Sequence, residues 1–366
     1  MQGDTGTPEF QDRSPSNQGH PLRTWPALLT LYFLSPLIGE TISGSTPILL
    51  FIRPFSLIFL PLLYGSSAIL IHEVIVRRRL GWGNVLVLGA AFGVFQEALV
   101  NQSWFSFISP RSPSHDLGSY GVWLGTNWFW GIGLTLYHAL VSITLPLVLI
   151  RLFFPAPFRS PWLKRGGIAG FLAWLLVPCA LLAYGTATRE FVSDGYLGPP
   201  SGAFLLTIGL TAALILIGSL VHFPPLTTGG GGAAPSLWRV RLTCFGITIV
   251  GFLIGGLILP KIGLPAPLAS SVELAAFAFG LWRVGTWSVQ PGWDGRHALG
   301  VVMGVLAFYV FVMGPLFEFG AKIAGRQGLV LTDCIAFMGL ILFDRYLRQH
   351  PDRLPQGGSS DASGDD

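Results

Sequence analysis

Apolar residues run along this chain in long continuous blocks, broken by short stretches rich in Pro, Gly and Arg. The blocks lie at about 25–42, 54–76, 83–104, 128–153, 167–185, 203–222, 242–262, 267–285, 298–317 and 328–346. Most approach the roughly 20 residues that cross a hydrocarbon core of about 30 Å. They lack the alternation of the roughly 10-residue strands of a membrane barrel, so the pattern predicts helices. The expected fold is all-α, a polytopic integral membrane helical bundle of about ten transmembrane helices. Between the seventh and eighth blocks, "PKIGLPAP" carries Pro260, Pro265 and Pro267, which predicts a tight turn or a re-entrant kink.

The punctuation divides the chain further. Residues 1–24 and 349–366 read as disordered polar tails, and 227–237, with "TTGGGGAAP", as a Gly-rich cytoplasmic linker. A six-helix membrane part over 25–226 and a four-helix part over 238–348 flank it. The N-terminal stretch has no basic segment with a small-residue cleavage site, so no cleaved signal peptide is expected. No internal repeat is visible. The loop at 106–127 is long for a compact bundle, and its neighbours Trp104, Trp128 and Trp130 suit a headgroup belt.

Composition supports the membrane reading. Of 366 residues, 51% are hydrophobic and 11% charged, against about 25% charged in an ordinary soluble domain. The formal charge of +4 does not point to nucleic acid, because the basic residues sit in short loops rather than on one face. Placing both termini in the cytoplasm puts sixteen of the 22 Lys and Arg residues inside, the bias the positive-inside rule requires. A bacterial-type plasma membrane is the expected location. Cys179, Cys244 and Cys334 fall in separate blocks and are expected to be buried thiols, neither disulfide-bonded nor metal-bound. No P-loop or dinucleotide fingerprint occurs, and no cofactor or metal is expected.

Candidate chemistry lies in the polar residues inside the blocks. In the third, Gly89, Gly93, Glu97 and Asn101 follow at four-residue steps and stay near one helix face. The fourth offers Asn127, Gly131, Thr135, His138 and Ser142 in a similar seam. Consecutive antiparallel helices can bring Glu97 and His138 together, about 10 and 15 Å from their outer ends at 1.5 Å per residue. They form a candidate proton-transfer pair. Gln96, Asn101, Glu273 and Asp333 are candidate ligand or ion-binding groups, and Glu40 is a further acidic residue at similar depth. Converging, they would build an acidic, His-bearing cavity open to the outer face. The bland alternatives are polar packing glue for the pair, a helix end in water for Glu40, and a cap or snorkelling group for Asp333.

"LIHEVIVRRR" at 70–79 begins like a zinc-protease helix but has Val76 where the second imidazole would stand. Glu73 and Arg77 instead form an i,i+4 pair, read as a structural anchor, with anionic-lipid contact by the Arg triplet as the functional option. "NQS" at 101–103 matches a glycosylation sequon at the membrane boundary, where a transferase has poor access. Gln96, Glu97 and His138 resemble part of the pattern of the CPBP-type intramembrane glutamate proteases. That pattern has a Glu-Glu pair, an Arg, and two later His residues. Here Asn101 replaces the Arg, no paired glutamate precedes Glu97, and no later HxxxN follows, so the resemblance rests on two helices.

Three function classes follow. A transporter or ion-coupled permease would use Glu97, His138, Glu273 and Asp333 as proton or cation sites. An intramembrane hydrolase or lipid-modifying enzyme would use Glu97 as base with His138 sharing its proton. A non-catalytic scaffold would need neither. The partners expected are the lipid bilayer and a small-molecule, ion or lipid substrate, and not nucleic acid.

Overall fold

The computed structural model describes residues 24–107, 117–187, 198–223, 232–320 and 326–351. Most of both expected tails, the middle of the 106–127 loop and much of the 227–237 linker lie outside the described residues. Within them are ten long helices. The first covers Trp25–Pro36 and continues through Leu37–Ile42, and the next three are Pro54–Arg77, Trp82–Val100 and Trp128–Phe153. The fifth to seventh are Arg165–Ala187, Ser201–Leu220 and Leu237–Lys261. The eighth to tenth are Ala266–Ser288, Gly295–Gly320 and Leu329–Gln349. Among the described residues, seven are long and apolar enough to cross a membrane. The first, eighth and tenth helices are not among the seven. The fold is an all-α polytopic membrane bundle.

Two cores hold it. One joins Ala27 and Leu31 of the first helix to Leu63, Ala68 and Ile69 of the second, Val85 and Leu88 of the third, and Ile143 and Leu147 of the fourth. The other joins Ile38 of the first and Val141 and Leu149 of the fourth to Leu299, Val302 and Leu306 of the ninth and Leu347 of the tenth. The first and fourth helices therefore serve both cores, and the chain segments on either side of the linker pack together. The fifth and sixth helices present exposed Leu, Ile and Trp side chains on the periphery, as lipid-facing helices do.

Polar groups fasten the ends. Asp344 of the tenth helix receives Arg241 of the seventh at 2.7 Å and Arg296 of the ninth at 3.0 Å. Between the seventh and eighth helices the chain makes a tight turn, with Gly263 at φ 79° and the Leu264 amide donating to the Leu259 carbonyl. Asp294 caps the ninth helix, accepting from the Arg296 and His297 amides at 3.0 and 3.1 Å and from His297 Nδ1 at 2.6 Å. Burial opposes ionisation of Asp294, but these hydrogen bonds outweigh it and hold its carboxyl below the usual range. The cap therefore contributes fully above the unfolded-state value of about 3.9 and is lost as pH falls through the lower folded value. Asp294→Ala is expected to cost about 1 kcal/mol at neutral pH, with the difference from wild type vanishing in strong acid. Unfolding midpoints across pH in one detergent check both statements.

The loop before the fourth helix ends in a two-stranded hairpin, Val122–Trp123 paired antiparallel with Thr126–Asn127. Leu124 and Gly125, both at positive φ (51° and 73°), form its turn, the conformation that matches strand twist in a two-residue hairpin. Trp104 is not in a headgroup belt. It is 3% exposed and packs flat where Gly131 leaves room, a Cβ there falling 2.7 Å from the indole. Of the cysteines, only Cys244 is buried, whereas Cys179 is half-buried and Cys334 exposed, and all three are free.

Candidate functional site

The glycine faces of the third and fourth helices meet closely. A Cβ on Gly89 would lie 2.9 Å from Ala139 Cα, and one on Gly93 would lie 3.0 Å from Thr135 Cα and 3.1 Å from His138 Cβ. Without side chains at these two steps, the next groups along the seam come into contact. His138 Nε2 lies 3.3 Å from Glu97 Oε1, and His138 Nδ1 lies 3.0 Å from Ser142 Oγ. Glu97 is 7% exposed, His138 2% and Ser142 0%. Glu97 also accepts from Asn101 Nδ2 at 3.1 Å and from Ser103 Oγ at 2.5 Å, and Ser103 Oγ accepts from Trp130 Nε1 at 3.1 Å. The third helix ends at Val100, not near 104. Gln102 turns at φ 54° and "SWF" folds back to cover the carboxylate. Glu97 therefore lies within one turn of its helix end, shallower than the expected 10 Å.

A second group adjoins the first. Glu40, half-buried in the first helix, accepts from the Tyr64 hydroxyl of the second helix and from Thr46 Oγ1 at 2.8 Å. Gln96 Nε2 donates to Tyr64 Oη at 2.5 Å, while the buried Gln96 Oε1 has no partner. Glu40 is thus no helix end in water. The rings of Tyr64, Phe92 and Tyr137 surround the imidazole of His138 at centroid separations of 5.9, 5.5 and 5.1 Å.

Backbone geometry explains how four helices deliver these groups to one place. Each widens to π-helical winding at the site: Leu37–Ile42 holds Glu40, Pro61–Gly65 holds Tyr64, Phe95–Val100 holds Gln96 and Glu97, and His138–Thr144 holds His138 and Ser142. Such turns occur frequently at functional sites and disturb the regular ladder. Hydroxyls satisfy the carbonyls this exposes, as hydrocarbon requires. Ser35 donates to the Ser142 carbonyl at 2.7 Å, Ser43 and Tyr137 donate to that of Gly39, and Thr144 donates to that of Ala139 at 2.6 Å.

Of the candidate residues, the structure brings together Gln96, Glu97, Asn101 and His138, and it places Glu273 and Asp333 elsewhere. Glu273 faces Gly133, Gly255 and Gly256. Gly133 and His138 are five residues apart, about 140° around a helix of 3.6 residues per turn, so the fourth helix separates the two sites. Asp333 neither caps nor snorkels. It is 0% exposed, both its oxygens lack partners, and Oδ2 lies 2.7 Å from where a Gly314 Cβ would be. Depth alone groups these two with Glu97, and depth does not fix azimuth. Tyr64, Tyr137 and Ser103 join the site without standing on either polar seam of the sequence. A tyrosine within "PLLYG", flanked by Pro61 and Gly65 in an apolar run, was the available signal for the first.

The HExx segment is a clamp. Glu73, 2% exposed, accepts from Arg77 Nε at 2.8 Å and from the Trp162 and Leu163 amides at 2.5 and 3.1 Å. His72 Nε2 lies 2.9 Å from the Phe158 carbonyl, and its ring stacks on Trp162 at 3.7 Å.

These features define a multi-pass helical membrane protein with a buried carboxylate–imidazole cluster. Residues 29–228, more than half of the chain, match the model of a family described as an uncharacterized membrane protein family, and the chain belongs to that family. The matched region contains Glu40, Tyr64, Gln96, Glu97 and His138, and it leaves out Glu273 and Asp333. No curated protein and no solved structure matches the chain.

Proposed function

We propose that the protein is a proton-coupled permease in which the Glu97–His138 pair binds and releases the coupling proton. It acts in a bacterial-type plasma membrane with both termini in the cytoplasm and carries a small molecule or ion. One observation supports this most: a carboxylate touches an imidazole at 3.3 Å inside the bundle, with His138 bonded on its other nitrogen to Ser142. In that chain a proton can reside on Glu97 or His138 and shift between them, and intramembrane ionisable residues in such pairs mark ion pathways. Gln96 Oε1, an unpartnered acceptor beside Glu97, leaves one position for a donor from a passing solute or water.

Hydrolysis fits less well. Glu97 already accepts from Asn101 and Ser103 and lies against His138, so little lone-pair capacity remains to activate a water. Ser142 is fully buried, and its Oγ lies 2.8 Å from a Cβ position on Gly39, with no room for a carbonyl substrate.

The test is proton entry into vesicles containing the reconstituted protein and a pH-sensitive dye, under an imposed membrane potential. Glu97→Gln and His138→Ala are expected to fall about tenfold or more below wild type, equivalent to about 1.4 kcal/mol, while eluting as folded protein. Wild-type rates in both variants would reject the proposal. Loss of lipid or peptide cleavage instead of proton entry would establish hydrolysis.

A further inference from the structure

Glu273 belongs to none of the hydrogen-bonded groups above. It lies in the second turn of the eighth helix, 2% exposed, and its Oε2 has no hydrogen-bond partner. What surrounds it is glycine from two other helices. A Cβ on Gly256 would meet Glu273 Oε1 at 2.8 Å, one on Gly255 would meet Glu273 Cγ at 2.7 Å, and one on Gly133 would meet the two carboxylate oxygens at 3.5 and 3.7 Å. The niche is shaped to this side chain, since a methyl at Gly256 would collide with the carboxyl group and one at Gly255 with the Cγ that carries it. Yet glycine brings no side-chain donor and no charge. The remaining Cα–H contacts are weak.

Among the described residues, the ionisable groups on the surrounding elements do not neutralise it. Tyr120, from the loop before the fourth helix, uses its hydroxyl to donate to the Leu264 carbonyl at 2.7 Å. On the fourth helix, His138 faces the other way, toward Glu97. On the seventh, Lys261 is exposed at the helix end. On the eighth, Arg283 is ten residues further along, about 15 Å at 1.5 Å per residue, and packs over Trp287. A bare carboxylate in such a niche is far costlier than a neutral carboxyl.

We propose that Glu273 is a second cation-binding position, occupied by a proton, in a glycine niche where the eighth helix meets the fourth and seventh. The proton keeps the carboxyl seated, and its loss drives the side chain out toward water and loosens the eighth helix from the other two. Gly133 sits on the helix that carries His138, about 7.5 Å along the axis, so occupancy of this position bears on the packing of that helix. The assignment stands whether or not Glu97 and His138 couple transport.

Infrared spectroscopy of the full chain in lipid nanodiscs at neutral pH tests it, with choline chloride and then sodium chloride at equal ionic strength. Wild type is expected to show the carbonyl stretch of a protonated carboxylic acid in both salts, and Glu273→Gln to lose one such band. Identical bands in the two proteins would overturn the proposal. So would a band that disappears when sodium replaces choline, which would assign the position to sodium. Should Glu273→Gln fail to fold, Gly256→Ala gives the same reading. Its methyl displaces Oε1, so the band must weaken, and an unchanged band would also overturn the proposal.

Discussion

Replacing Glu73 with leucine is expected to destabilise the folded protein by about 3–5 kcal/mol. The carboxylate is 2% exposed and is the acceptor for three donors, the Arg77 guanidinium and the Trp162 and Leu163 amides. Leucine fills much of the volume but strands both amides in a segment packed under His72, Phe158 and Trp162. An orphaned buried donor costs about 1–3 kcal/mol. The partner residue provides the internal comparison. Arg77, with its side chain 38% exposed to solvent, can hydrate when Glu73 is lost, whereas Arg77→Leu leaves the buried carboxylate with its two amide donors but no countercharge, at an expected cost of about 1–3 kcal/mol. Glu73→Gln keeps one carbonyl acceptor for the two amides and should fall between them. Unfolding by denaturing detergent, followed through tryptophan fluorescence, gives the order. Equal losses for Glu73→Leu and Arg77→Leu would mean that the ion pair, rather than the held loop, dominates.

That clamp shows what a single sequence can and cannot convey. The Glu73–Arg77 pair was readable because helical spacing is local and fixed at 3.6 residues per turn, and the observed Nε–Oε2 distance is 2.8 Å. The loop partners Trp162 and Leu163 were not, because a contact across about 90 residues leaves no periodic trace. The helices follow the same division. Their approximate limits came from apolar run length, although seven of the ten among the described residues, rather than all, are long and apolar enough to cross a membrane. The end of the third helix did not, since Trp104 and Phe105 extend the apolar run past the polar Asn101, Gln102 and Ser103, whereas the chain turns at Gln102, which adopts positive φ.

The candidate site repeats the pattern at higher resolution. Gly89, Gly93 and Glu97 on one helix, and Thr135, His138 and Ser142 on the next, could be paired from spacing because adjacent antiparallel helices admit few registers. Glu40 and Tyr64 reach the same place by π-helical turns, and an inserted residue shifts the face of everything beyond it. No periodicity with a constant 100° step anticipates that shift. For Glu273 and Asp333, run position left direction open, and direction is what sends one to a glycine niche and the other against Gly314.

The glycine seam carries the other large effect. Gly89→Leu is expected to destabilise the bundle by at least about 3 kcal/mol, beyond the usual 1–3 kcal/mol of overpacking. The atoms in the way are backbone, Ala139 Cα at 2.9 Å and the Ala139 carbonyl oxygen at 3.1 Å, and backbone cannot rotate aside as a side chain can. The third and fourth helices must therefore separate. Because Glu97 and His138 lie further along the same seam at 3.3 Å, separation also breaks their contact, so proton entry should fall with stability. Gly246 supplies the control: it lies within the seventh helix with nothing within 4 Å of its Cβ position. Gly246→Ala is expected to leave stability unchanged or raise it by up to about 1 kcal/mol through helix propensity. Detergent unfolding of the two variants side by side, with proton entry measured on the same preparations, separates close helix approach from a general intolerance of bulk. If Gly89→Leu retains wild-type stability and proton entry, the two helices do not meet along this seam and the carboxylate–imidazole contact has no support.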